Sequence, residues 1–296
     1  MRSRFVRVRS RLEALLSRRL SRLLGLLLVL QSGLIVTGGA VRITGSGLGC
    51  PTWPKCTDLS YTPVPHQPQG QLHVWIEFGN RLLTFALLLV ALISMIAVIL
   101  LKRHDIKALA IGQVVGILAQ IPLGGITVLT HLNPIAVASH FMLSIILIAA
   151  CTSLYERRKS TPSGLPRATK KFPILAPAHL ILSALVVIVG TIVTGSGPNA
   201  GDYSAPRFHI RLETIARIHG DLAIALLLVT IIFYFATGSS PFLRRRIAIF
   251  GIISLLQGAI GFLQYYQGLP ELLVGAHLLG VTLVWISAWR IRLAAK

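Results

Sequence analysis

The stretch Leu72-His-Val-Trp-Ile-Glu-Phe-Gly-Asn-Arg-Leu-Leu83 puts a carboxylate, Glu77, and an amide, Asn80, at the head of an apolar run that continues to Leu101. Such a run is long enough to cross a bilayer, which takes about 20 apolar residues. Polar groups inside it are costly in hydrocarbon and mark function by default. Working outward, comparable runs recur at 23–43, 75–101, 108–129, 134–155, 172–194, 212–236, 247–266 and 271–290. The sequence therefore predicts an all-α integral membrane protein of eight spans. The runs are too continuous for barrel strands, which alternate over about 10 residues.

Composition agrees. Only 13% of the 296 residues are charged and the mean hydropathy is +0.74, against about 25% charged in soluble domains. The net charge of +20 does not point to nucleic acid, because of where it lies. Lys and Arg gather in 1–22, 102–107, 157–171, 244–246 and 290–296, at alternate gaps between spans and at both ends. That is the positive-inside pattern, and it predicts cytoplasmic termini, with anionic lipid headgroups beside the basic clusters. Residues 1–22 read as a cytoplasmic basic arm on the membrane surface, and the first apolar run reads as an uncleaved anchor.

The chain divides at 156–171, a cytoplasmic linker holding Pro162, Gly164 and Pro166. On either side lie an N-terminal four-helix bundle, 23–155, and a C-terminal one, 172–296. They read as two copies of one unit. Thr44-Gly-Ser-Gly47 ends the first span and Thr194-Gly-Ser-Gly197 the fifth. Gln120 precedes His140, and Gln257 precedes His277, by the same twenty residues, with Leu132 and Val137 matching Leu269 and Val274. The two copies share one orientation, so the sequence predicts a parallel four-plus-four duplication.

Asn80, His140, His219 and His277 each lie a few residues inside the outer start of a span. At about 1.5 Å per residue the histidines are roughly 10 Å below the helix ends. A lone histidine in an apolar span is more often hydrogen-bonded core than ligand. Three at one depth, placed by a repeat, point to haem iron, which two facing imidazoles hold in a form suited to electron transfer. His179 lacks a matching partner, His104 is in a cytoplasmic loop, and His73 and His131 are candidates for a cavity mouth.

Glu77 is one turn from Asn80 and shares its helix face. It reads as the catalytic carboxylate, taking a proton or orienting a bound water beside the haem, because the second half has Ala216 at the aligned position; the alternative is a Glu held by Arg81 or by a neighbouring span. Cys50 and Cys56, in an extracytoplasmic loop where disulfides persist, have a spacing wider than zinc pairs use and predict a bridge, either a staple or a redox pair. Arg42, Arg81, Arg211 and Arg217 suit haem propionates or snorkelling to headgroups. Gln120, Gln257 and the nearby glycines read as packing features, and Cys151 as inert core.

The motifs Gly38-Gly-Ala-Val-Arg-Ile-Thr-Gly-Ser-Gly47, Cys50-Pro-Thr-Trp-Pro-Lys-Cys56 and Trp75-Ile-Glu-Phe-Gly-Asn-Arg81 resemble those of the haem A synthase family, and the likeness runs through all eight spans. The resemblance implies a haem B held in the C-terminal half by His219 and His277. It implies a haem O substrate in the N-terminal half, at His140 and Glu77, whose C8 methyl is oxidised to a formyl group for aa3-type cytochrome oxidase biogenesis. It makes Cys50–Cys56 the family's loop pair. It implies haem O synthase, a farnesyltransferase, and aa3-type oxidase assembly factors as partners. A homo-oligomer is compatible with the sequence. One departure stands out: many members have His where this chain has Asn80. Asn is a poor iron ligand, so one face of the first-half haem would be open. The rival reading is a diheme b-type electron carrier without haem chemistry. A repeat-built transporter would instead carry broken helices at mid-depth.

Overall fold

The computed structural model describes residues 2–158, 172–238 and 240–295. Among them the chain forms eight α-helices and no strand: α1 (Arg2–Ile43), α2 (Gln71–Leu100), α3 (His104–Leu129), α4 (Pro134–Glu156), α5 (Leu175–Ser196), α6 (Leu212–Ala236), α7 (Pro241–Tyr266) and α8 (Glu271–Ala294). All eight are long and apolar enough to cross a membrane, and the chain is a multi-pass helical membrane protein. Most of the linker expected at 156–171, with Pro162, Gly164 and Pro166, lies outside the described residues.

The expected spans fall on these helices, with informative differences at their starts. α1 begins at Arg2, so the basic arm is helix continuous with the first span. No Gly or Pro precedes Gly25, and Arg, Leu, Ala and Glu are strong helix formers. α2 begins at Gln71, where Gly70 at φ 82 turns the chain into it. α7 begins at Pro241, ahead of the expected start. A proline suits the first helical turn, whereas Arg244–Arg246 broke the apolar pattern used to find the span.

Helices α1, α2, α3 and α4 close into one ring, each packed on the next and α4 back on α1. Helices α5 to α8 close into a second ring in the same order. The rings meet through α1 and α4 on one side and α5 and α8 on the other. Within each ring the diagonal pairs, α2 with α4 and α6 with α8, face each other across the middle.

Each ring is filled at the end away from the 44–70 loop. In the first, Leu24, Leu27, Leu87, Ala91, Ile106, Ile117, Cys151 and Leu154 form the core. In the second it is Phe172, Phe233, Leu243, Ile247 and Phe250. Between the rings Ile35, Ile145, Ile148, Val187 and Trp285 form a shared core. Polar bonds lock that seam. Trp285 Nε1 donates to the Ile145 carbonyl at 2.8 Å and Trp289 Nε1 to Ser153 Oγ at 2.7 Å. The buried Glu156 carboxylate on α4 pairs with Arg246 of α7 and, at 2.8 Å, with Arg290 of α8. At the loop end Arg42 of α1 donates to the Thr194 and Asn199 carbonyls of the other half.

The turns entering α4 and α8 have one geometry. Leu132 (φ 61) donates its N–H to the Thr127 carbonyl, and Leu269 (φ 64) donates to the Gln264 carbonyl, both at 2.7 Å. A leucine with positive φ is uncommon, and its presence in both turns matches the sequence pairing of these residues. A proline follows soon after each turn, Pro134 at the first helical turn of α4 and Pro270 just before α8. His140 is consequently the seventh residue of α4 and His277 the seventh of α8.

Candidate functional site

The loop end of both rings is hollow. One continuous cavity of about 1780 Å³ runs between them, and Glu77, Asn80, His140, His219 and His277 all line it. Single small-molecule sites occupy about 300–1,000 Å³, so this space accommodates two large ligands. Its walls are mostly aliphatic and aromatic.

Each of the four positions rests on a glycine of the preceding helix. A methyl group built on Gly124 would lie 3.2 Å from His140 Cε1, one on Gly190 would lie 3.1 Å from His219 Cε1, and one on Gly261 would lie 3.0 Å from His277 Cε1. On Gly38 it would lie 3.9 Å from Asn80 Nδ2. The missing side chain lets each ring lie against the neighbouring helix. Nδ1 of all three histidines is buried without a hydrogen-bond partner of good geometry. The imidazoles of His219 and His277 lie beside the backbone of Val186 and Gln257, one turn before the glycines on which the rings rest. Gln120 and Gln257 tie the same helices together: Nε2 of each donates to the carbonyl of its histidine, His140 at 3.1 Å and His277 at 2.8 Å.

The two diagonal pairs differ. The rings of His219 and His277 face each other with centres 6.4 Å apart. Two imidazole nitrogens each about 2 Å from one metal put the ring centres about 6 Å apart, so this pair fits a single ion between them. With the largely apolar cavity they line, the two imidazoles suit an iron macrocycle. In the first ring His140 has Asn80 as its diagonal partner. Asn80 lines the cavity, but its Oδ1 accepts the Thr37 hydroxyl at 2.7 Å and is turned onto α1.

Glu77 is buried and fully engaged. Its Oε1 accepts from Arg81 Nη2 at 2.6 Å and Nε at 3.1 Å, and its Oε2 accepts the Cys50 N–H at 2.7 Å. Arg81 also donates to the carbonyls of Cys50, Thr52 and Lys55. Arg81 holds Glu77, and the carboxylate still lines the cavity. Cys50 and Cys56 are joined by a disulfide. The loop they close lies over the first ring, with Trp53 packed directly on Gly125, beside the glycine under His140. Glu77 and Arg81 therefore pin a lid over the first half of the cavity.

Other expectations resolve as follows. Arg81 and Arg217 line the cavity, as does Arg42, whose guanidinium is committed to the seam. Arg211 is exposed and faces Glu213 at 3.8 Å. His73 and His131 do not line the cavity, and His73 Nδ1 bonds Ser46 Oγ at 3.0 Å. His179 is buried core, bonded to Thr230 at 3.2 Å and edge-on to Phe250. Cys151 is buried and unpaired. The sequence did not single out Thr37, Trp53 or Gly190. Gly190 was findable, since it precedes the span of His219 as Gly124 and Gly261 precede those of His140 and His277.

The fold and cavity define a class: a helical multi-pass membrane protein whose interior is walled by histidines on diagonal helices. Residues 21–206 match the family described as cytochrome oxidase assembly protein, COX15-CtaA, and the chain belongs to that family. Its similar proteins include the heme A synthase of Shewanella oneidensis, 32% identical over 198 residues, 62% of this chain and 57% of that protein. The heme A synthase of Geobacillus thermodenitrificans is 29% identical over 150 residues, 46% of this chain and 44% of its own. These two matches span about half the length of each relative. A heme A synthase of Listeria innocua aligns over 85% of this chain and 87% of its own, at 28% identity.

Proposed function

We propose that the chain is a haem A synthase, which oxidises the C8 methyl of haem O to a formyl group. The observation that carries this is the inequality of the two diagonal pairs in one cavity. His219 and His277 hold a haem B, which when bound supplies electron transfer. His140 holds the iron of the substrate haem O, and Asn80 leaves the other face uncapped. An electron carrier has no use for that vacancy, whereas an oxidising site does. The described helices also lack the mid-depth breaks of a transporter.

The rest of the chain positions and shields. Glu77 and Arg81 fix the Cys50–Cys56 loop, and Trp53 closes it against α3, keeping bulk water from the substrate edge. Arg217, which lines the cavity, supplies a cation for propionates at the loop end, while Arg81 is held by Glu77 and the loop carbonyls. The two rings are a duplicated unit: equivalent turns, glycines and glutamines support this. The alternation of basic clusters supports cytoplasmic termini and haem sites near the extracytoplasmic face. Haem O synthase would act upstream, and aa3-type oxidase assembly factors downstream.

The test is co-expression with a haem O synthase followed by pigment extraction. Haem A should appear with the native chain and be lost with His140→Ala. Unchanged haem O with the native chain would reject the proposal.

A further inference from the structure

Gln31 is 3% exposed, lines the cavity, and its Oε1 has no hydrogen-bond partner among the described residues. It lies on the same face of α1 as Gly38, two turns or about 10 Å deeper. Leu87 and Ile117 are also seven residues from Asn80 and Gly124, and both line the cavity. They put an aliphatic floor at that depth, and Gln31 sets one amide into it. Gln120, a turn higher, also has an unpartnered Oε1, but Gln257 repeats it in the second half, so that pair does not distinguish the two halves as Gln31 does.

An unsatisfied amide in an apolar, water-poor wall is costly, and its retention points to a ligand that supplies the missing partner. The second half differs at the equivalent depth. Counting seven residues from Gly190 reaches Ser183, whose hydroxyl is bonded to the His179 carbonyl of its own helix and which does not line the cavity. Ser254, seven residues from Gly261, does line it and its Oγ is also unpartnered, but a serine lacks the reach of a glutamine amide.

Haem O and haem B differ at one substituent: haem O has a hydroxylated, prenylated chain where haem B has a vinyl group. That substituent is on the macrocycle edge opposite the propionates. With the charged propionates toward the open loop end, away from the apolar floor, this edge faces the floor. Resting on the functional reading above, we propose that Gln31 hydrogen-bonds the hydroxyl of haem O and so selects haem O over haem B in the first half. A site built to bond a hydroxyl discriminates against an analogue lacking it.

The experiment is a spectral titration of the full chain, its second half loaded, with haem O and separately with haem B, for the native chain, Gln31→Met and Gln31→Ala. The low-spin spectrum of the second half reports folding for each variant. Both substitutions should lower the preference for haem O by about tenfold, the size of one buried hydrogen bond, with haem B binding unchanged. The contribution of the prenyl tail cancels in the comparison with the native chain. An unchanged preference, or equal weakening of both haems, overturns the assignment. A native chain that takes haem O into neither half fails the functional reading and this one together.

Discussion

The Cε1 edge of each imidazole comes up against a glycine of the neighbouring helix, and at the residue scale these gaps seat the three histidines. Gly124, Gly190 and Gly261 each leave room for one ring. Gly261→Val should displace His277 and lower retained low-spin haem about tenfold, read from the absorption spectrum of the purified protein; full retention would show that the ring does not depend on that gap. Glu77 acts on the loop through charge-assisted hydrogen bonds, worth about 1.5–3 kcal/mol each. Glu77→Gln should speed reduction and alkylation of Cys50 and Cys56 about tenfold, followed by mass spectrometry. An unchanged rate would mean that the lid is held by other contacts. The histidines, Glu77 and Asn80 were legible in the sequence because such groups are rare inside apolar spans. Thr37 was not, because small residues are commonplace there and nothing local says which of them meets a ligand position.

At the scale of elements, hydropathy located the spans well but not their starts. The basic head of α1 and the Arg244–Arg246 stretch of α7 are helical although they are not apolar. Periodicity reports burial in lipid rather than backbone hydrogen bonding, so it cannot see a helix that leaves the membrane. The seam between rings was illegible for another reason: Glu156 and Arg246 are 90 residues apart, and no local pattern joins them. Removing one partner of a buried pair costs about 3–5 kcal/mol. Glu156→Ala should therefore lower the thermal unfolding midpoint in detergent by several degrees. Asp105→Ala, which breaks the partly exposed pair with Arg103, should change it little, since such pairs contribute about 0–1 kcal/mol. Equal effects from the two substitutions would remove the Glu156 cluster as the lock between halves.

Viewed whole, the molecule is packed at one end and hollow at the other, and its function belongs to the hollow end. The filled cores below the ligand level fix the helices, while the loop end keeps space that side chains would otherwise close. Equal depth of the four positions was readable from counting residues. Their merging into one cavity, and the draping of the disulfide loop over the first ring, came only with the tertiary arrangement. The central claim is that the two rings are unequal, one holding a haem between two histidines and the other leaving a face uncapped. It is tested most directly by the low-spin haem spectrum of the purified chain and two single variants. The spectrum should vanish with His219→Ala and persist with His140→Ala. Its persistence in both, or its loss in both, would contradict the account.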